Sequence, residues 1–275
     1  MTLEPHRARR RFGQNFLVDR HVIEAIVHAI DPRPGDALVE IGPGMGALTG
    51  LLAARVNAAS PGHRLHVIEL DRDLARSLQQ RLPGAEIEIH EADVLDFDFT
   101  TLPAPLRVVG NLPYNISSPI LFRLFDIAPR LLDVHVMLQR EVVERIVSAP
   151  GSGDYGRLSV MMQYRFDAEA VLEVGPHAFR PAPKVDSSVV RLVPRPADEL
   201  AARDIGVLSR VVQAAFGQRR KMLRNTLRGW FDPARLAGLD IDPQARAEDL
   251  PVAAFVRLAN AAATAAPPAA APRDG

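Results

Sequence analysis

Between residues 19 and 196 the apolar positions fall into two alternating kinds of run. ALVEI (37–41), LHVIEL (65–70), RVVG (107–110) and VHVMLQ (134–139) are short and nearly continuous, and AEIEIH (85–90) alternates; these predict strands. VIEAIVHAI (22–30), ALTGLLAARV (47–56), DRDLARSLQQRL (71–82), SPILFRLF (118–125) and REVVERIV (140–147) carry apolar residues at helical spacing. Ser118 is placed to cap its helix, with Pro119 in the first turn. Strands alternating with helices predict an α/β fold, a parallel sheet with helices on both faces. Residues 197–262 hold only helical signals, broken at DPARL and DPQAR, and predict a small C-terminal helical domain. Residues 1–18 form a basic, polar arm, and 263–275 are a low-complexity Ala/Pro tail expected to be disordered.

Composition narrows the function classes. The 275 residues are 47% hydrophobic, enough for a sizeable core, and no apolar run has the length of a membrane span. There are no cysteines, which excludes a catalytic thiol, a zinc–thiolate site and a disulfide framework. The beginning, MTLEPHRARRRFGQNFL, has no apolar signal core, so a cytoplasmic protein is expected. Net charge is zero, so any anionic partner must be met by local clusters rather than by the whole surface.

VEIGPGMGALT sets glycines at 42, 44 and 46 between a strand and a helix, where backbone can approach a ligand closely. A ligand-free tight turn uses the same glycines, and Gly42, Gly44 and Ala47 also fit a dinucleotide fingerprint. Two acids sharpen the picture. Glu69 ends the second strand, where a carboxylate can accept from a ribose diol. Asp93 follows the third and could accept from an adenine amine. Alone, each is an ordinary loop acid; together the three strand ends form a nucleoside pocket. With no P-loop lysine and no arginine beside the glycines, a nucleoside without phosphates such as S-adenosylmethionine fits it. The fourth strand delivers Asn111, Leu112, Pro113 and Tyr114 to the same edge. Pro113 biases Leu112 toward extended geometry, so two uncharged acceptors and a flat ring converge on a planar group bearing an amine. A proline turn with a packed tyrosine would look alike.

These stretches resemble the ribosomal RNA adenine N6-dimethyltransferases along nearly the whole chain: FGQNFL (12–17), EIGPGMGALT (40–49), VIELD (67–71), EADVLDFDF (91–99), GNLPYNISSPIL (110–121), MLQREVVERI (137–146), YGRLSVMMQY (155–164), FRPAPKVDSSVVRL (179–192) and FGQRRKMLRNTL (216–227). The resemblance implies a class I, Rossmann-like methyltransferase domain with a helical second domain, and S-adenosylmethionine as methyl donor with no metal. It implies cofactor contacts at Asn15, Leu17, Gly42, Glu69, Asp93 and Asn111. Asn111 and the Leu112 carbonyl would hold the target amine, and Tyr114 and Phe179 would sandwich the adenine. The implied substrate is two adjacent adenosines in the hairpin loop near the 3′ end of 16S ribosomal RNA, within an immature small ribosomal subunit. The implied enzyme works as a monomer in ribosome biogenesis. The loop VNAASPGHR (56–64) is longer than usual for the family and lies away from the motif-bearing strand ends.

GQRRKMLRNTLR (217–228) contains Arg219, Arg220, Lys221, Arg224 and Arg228 and no acid. On a continuous helix 220, 224 and 228 would share one face, where like charges repel unless an anion such as an RNA backbone neutralises them. A solvated basic face has the same pattern. Arg7, Arg9, Arg10 and Arg11 make a second cluster. Three other readings stay open: a large-subunit RNA methyltransferase of the resistance type, an assembly factor whose turnover is secondary, and a nicotinamide-dependent oxidoreductase.

Overall fold

The computed structural model describes residues 15–57 and 64–264. The basic cluster Arg7–Arg11, most of the loop 56–64 and most of the Ala/Pro tail lie outside them. The chain divides into two compact units. One runs to Val143 and takes in Asp167–Pro194; the other comprises Glu144–Phe166 and the chain from Arg195 onward. Residues 144–166 lie inside the span 19–196 yet cluster with the helical unit.

The first unit holds β1 (Phe16–Leu17), α1 (Arg20–Ile30), β2 (Ala37–Ile41), α2 (Thr49–Asn57), β3 (Leu65–Glu69), α3 (Arg72–Arg81), β4 (Ile87–Glu91), β5 (Leu106–Asn111), α4 (Ser117–Asp126) and β6 (Leu131–Gln139). After α5 (Arg140–Val147) and α6 (Arg157–Arg165), the sheet resumes with β7 (Phe166–Val174) and β9 (Ser187–Pro194), separated by the short β8 (Phe179–Arg180). The seven-stranded order is β4-β3-β2-β5-β6-β9-β7. Strands β4, β3, β2, β5 and β6 pair in parallel, as the alternation predicts; β9 adds antiparallel to β6, so the sheet is mixed. β1 pairs with β8 outside this sheet, in the register Phe16↔Arg180 and Leu17↔Phe179, which fixes the described end of the N-terminal arm.

Local chemistry explains the helix starts. Asp19 accepts from the amides of His21 and Val22 and caps α1, and Asp71 accepts from Asp73 N and caps α3. α4 begins one residue before the expected cap. Ser118 is inside the helix and exposed, while Ser117 donates its hydroxyl proton to the Tyr114 carbonyl at 3.1 Å. The core between sheet and helices is Leu38, Leu52, Val67, Leu78 and Val109 with α1's Ile26, Val27 and Ile30.

The second unit is helical, with α7 (Ile205–Phe216), α8 (Leu223–Thr226), α9 (Pro233–Ala237) and α10 (Val252–Ala263) beside α6. In it Tyr155 meets Phe216 edge to face with centroids 6.3 Å apart, and Phe216 stacks on Phe255 at 5.7 Å.

Candidate functional site

The C-terminal ends of β2, β3, β4 and β5 open on a cavity of about 300 Å³ in the first unit. Its floor is the glycine turn. Gly44 sits at φ +56°, and a Cβ there would meet the Phe16 ring at 3.1 Å. That spares room for its amide to donate to Glu69 Oε2 at 3.3 Å, while Asp71 N donates to Oε1 at 2.9 Å. Glu69 is thus aimed by two backbone donors, and each oxygen keeps a lone pair for a ligand. Burial raises its carboxyl above the ordinary value, and the two amide bonds offset part of that. Asp93 Oδ1 accepts from Leu95 N at 2.9 Å, which holds its carboxylate at the cavity edge.

Gly110 lets β5 lie close to β2, because a Cβ there would run into the Ile41 carbonyl oxygen. The next residue, Asn111, donates from Nδ2 to the Asn15 carbonyl at 3.0 Å. The amide is thereby oriented with Oδ1 as its remaining acceptor. Leu112 donates its N–H to Met137 O, and its own carbonyl accepts nothing from the described residues. Pro113, at φ −60°, starts a short turn that presents Tyr114, and the Tyr114 hydroxyl bonds to Ser187 Oγ at 2.5 Å. Asn15, Leu17, Gly42, Glu69, Asp93, Asn111, Leu112, Pro113 and Tyr114 all line this one cavity.

Phe179 does not. It is fully buried, opposite Leu17 in the β1–β8 pair and packed in the core with Ile26 and Val189. Among the lining residues that sequence reading passed over are Phe16 and Glu40. Glu40 is buried beneath the glycine turn, and burial, reinforced by the charge of Glu69 and only partly offset by Thr49, pushes its carboxyl up to about 7. Its signal lay within EIGPGMG, where a charged residue stands inside an otherwise apolar strand.

The lining fits a cationic nucleoside. It contains four acids, Glu40, Glu69, Asp71 and Asp93, and among the described residues no lysine, arginine or histidine. A phosphate would be repelled there; a ligand carrying a ribose diol and positive charge would compensate the carboxylates.

In the second unit the basic segment is not a continuous helix. The chain turns at 217–220, Met222 bridges to Arg246, and only Leu223–Thr226 are helical, so 220, 224 and 228 do not share one helical face. All five basic side chains are exposed. Arg219 pairs with Glu248 at 3.1 Å and donates to the Gly153 carbonyl, so it is spoken for. Arg220, Lys221, Arg224 and Arg228 have no partner among the described residues. Lys221 and Arg228 edge a groove with Gln218, Asn225 and the chain's single tryptophan, Trp230.

The sequence model of the ribosomal RNA adenine dimethylase family matches residues 5–264. A protein of Aromatoleum aromaticum named ribosomal RNA small subunit methyltransferase A is 56% identical over 265 residues, 96% of this chain and 98% of the relative. One of the same name from Burkholderia mallei is 54% identical, covering 94% and 95%. Among solved structures, the 23S rRNA methyltransferase ErmE superposes with a TM-score of 0.68 at 30% identity, over 90% of this chain and 99% of that one. A dimethyladenosine transferase from Plasmodium falciparum superposes with a TM-score of 0.76 at 23% identity, over 88% and 95%, and so speaks for the fold.

Proposed function

The chain belongs to the ribosomal RNA adenine dimethylase family, and from that premise we propose that it transfers methyl groups from S-adenosylmethionine to N6 of two adjacent adenosines near the 3′ end of 16S ribosomal RNA, within an immature small ribosomal subunit. The identity of more than half with relatives named for the small subunit favours that substrate over the large-subunit RNA of ErmE. The acidic, cation-free cavity and the turn of glycines support a nucleoside sulfonium as donor.

The observation that carries the chemistry is the Asn111–Asn15 bond. Asn111 Oδ1 and the Leu112 carbonyl are two neutral acceptors, held by backbone, at the mouth of the cofactor cavity. Bound S-adenosylmethionine supplies an electrophilic methyl group. The two acceptors take the N–H bonds of the adenine amine, turn its lone pair out of ring conjugation and aim it at that methyl. The N–C bond would form as the donor's S–C bond breaks, and the extra N–H proton would leave to water. No strong base is needed beside the amine, and none of Asn111–Tyr114 is one. Catalysis is positioning, to which Tyr114 adds one stacking face. Glu69 would hold the ribose diol and Asp93 the cofactor's adenine amine. Lys221, Arg220, Arg224 and Arg228 supply exposed charge for RNA phosphates in the second unit. The protein is read as a cytoplasmic monomer; among the described residues no helix is long and apolar enough to cross a membrane.

The test is transfer of labelled methyl groups to isolated small subunits lacking the modification, with large subunits as control and digestion to nucleosides. Label in N6,N6-dimethyladenosine from small subunits alone is the expected result; label from large subunits overturns the substrate assignment. Asn111→Ala should cut turnover by roughly a hundredfold, the scale of losing one transition-state hydrogen-bonding group, while subunit binding persists. Unchanged turnover removes the amine-clamp role.

A further inference from the structure

At the outer edge of the sheet, β3 and β4 bring together three side chains that the methyl-transfer chemistry does not use. The register pairs His66 with Glu88 and Ile68 with His90, so His66, Glu88 and His90 lie on one face. His66 Nδ1 and His90 Nε2 are 3.2 Å apart. One oxygen of Glu88 is 3.8 Å from His66 Nδ1 and the other 3.9 Å from His90 Nε2. The donor atoms all lie within 4.8 Å of one another.

We propose that His66, Glu88 and His90 form a surface site for one divalent transition-metal ion of the zinc class. Two imidazole nitrogens bound tetrahedrally at 2.0–2.1 Å stand about 3.3 Å apart, and the observed 3.2 Å matches that spacing. Glu88 must swing inward to ligate, each of its oxygens being nearest to a different ring at 3.8 and 3.9 Å, and its side chain can move because 46% of it is exposed. The fourth position faces solvent and is left for water.

The rings are held ready. His66 and His90 stack with a 25° interplanar angle, and the edge of Phe97 packs on His90 at 5.1 Å. Both facing nitrogens present lone pairs when the ring protons sit on the far nitrogens. Two imidazoles and one carboxylate select zinc, cobalt, nickel or copper over magnesium and calcium, which prefer all-oxygen sites.

Metal-stripped full-length protein is titrated with Zn2+ by calorimetry and with Co2+ by visible absorption. One ion per chain is expected, unaffected by millimolar Mg2+. Affinity should fall by roughly a hundredfold in His66→Gln and in His90→Gln, at least the upper end of the loss caused by removing a mere outer-sphere partner. A smaller loss is expected in Glu88→Gln, whose exposed side chain leaves the fold intact if a histidine variant does not fold. The chain has eight histidines, so Zn2+ binding that is unchanged in all three variants is adventitious and overturns the site, as does wild-type protein that binds no Zn2+. None of these readouts depends on methyl transfer.

Discussion

The two ends of the central sheet bury polar groups for opposite purposes. At the end where β5 and β6 begin, Arg107 is surrounded by its own compensation. Its guanidinium lies 3.1 Å from Asp36 and 3.0 Å from Asp133, and donates to the Ile30 and Asp31 carbonyls at the end of α1, each at 2.9 Å. At the end where the strands stop, Glu40, Glu69, Asp71 and Asp93 line a cavity whose described lining residues include no lysine, arginine or histidine. The first set has its opposite charges brought together by folding, although Arg107 Nε and Asp133 Oδ1 make no hydrogen bond there. In the second, burial raises the carboxyls of Glu40 and Glu69, so the unfolded chain solvates those two acids better than the fold does. A fold tolerates this imbalance where the missing charge arrives with a substrate.

Removing the cation from the charge-paired end is expected to have the largest effect. Arg107→Ala leaves Asp36 and Asp133 buried without their partner and should destabilise the protein by about 3–5 kcal/mol, read as a lower denaturant midpoint. Methyl transfer, assayed where the variant is still folded, should not change. A loss below about 1 kcal/mol would mean that the network is solvated like a surface pair.

The cavity end responds with the opposite sign. Glu40 has an ordinary value of 4.5 in the unfolded chain and about 7 in the folded one. Between those pH values the folded chain keeps a proton that the unfolded chain has lost, so stability falls as pH rises from 4.5 to 7 and stays lowered above. The difference corresponds to about 3 kcal/mol. Glu40→Gln should therefore stabilise the ligand-free protein by up to about 3 kcal/mol at pH 8, with the gain vanishing near pH 4. The same substitution should weaken S-adenosylmethionine binding. Denaturation curves at the two pH values decide the first point; a gain equal at both would show that the carboxyl titrates in the fold as it does in the unfolded chain.

Glu69→Ala removes an acceptor already oriented by Gly44 and Asp71. Affinity for S-adenosylmethionine should fall by about 1.5–3 kcal/mol, the worth of a hydrogen bond to a charged group. Unaltered calorimetric affinity would count against the ribose role.

How much of this contrast could be read from sequence follows from the range of the interactions. Four of the parallel strands and the helices were legible because burial on both faces leaves apolar runs, the edge strand β4 by its alternation, and Gly42, Glu69, Asp93 and Asn111 were legible because each sits at a strand end that topology sends to one edge. β7 left a fainter signal, the alternation of Phe166, Ala168, Ala170, Leu172 and Val174, yet only its pairing to β9 makes it part of the sheet. Phe179 shows the limit. An aromatic before a proline has no local mark that tells a base platform from a core ring, and its burial depends on Leu17, more than 150 residues away in the chain. The basic segment erred for a local reason: Gly217 ends α7 and Met222 bridges to Arg246, so charges at helical spacing were not on a helix.

The smallest effect, and the finest test of the cavity end, is at Ser187. Its hydroxyl lies in the antiparallel strand β9 and meets the Tyr114 hydroxyl at 2.5 Å, tying the tip of the aromatic turn to the sheet. Burial raises the phenol of Tyr114 above its ordinary value and the Ser187 bond offsets part of that, so the ring stays neutral and the bond serves orientation rather than charge. Ser187→Ala deletes one neutral hydrogen bond worth about 1 kcal/mol, or about fivefold in turnover if the ring's position matters fully to the bound adenine. Affinity for S-adenosylmethionine should be untouched, because Ser187 does not line the cavity. Tyr114→Phe should lose the same factor and no more, since the stacking face remains. If Tyr114→Phe instead costs far more than Ser187→Ala, the hydroxyl itself touches the substrate, and the turn after Asn111 supplies a polar contact as well as a platform.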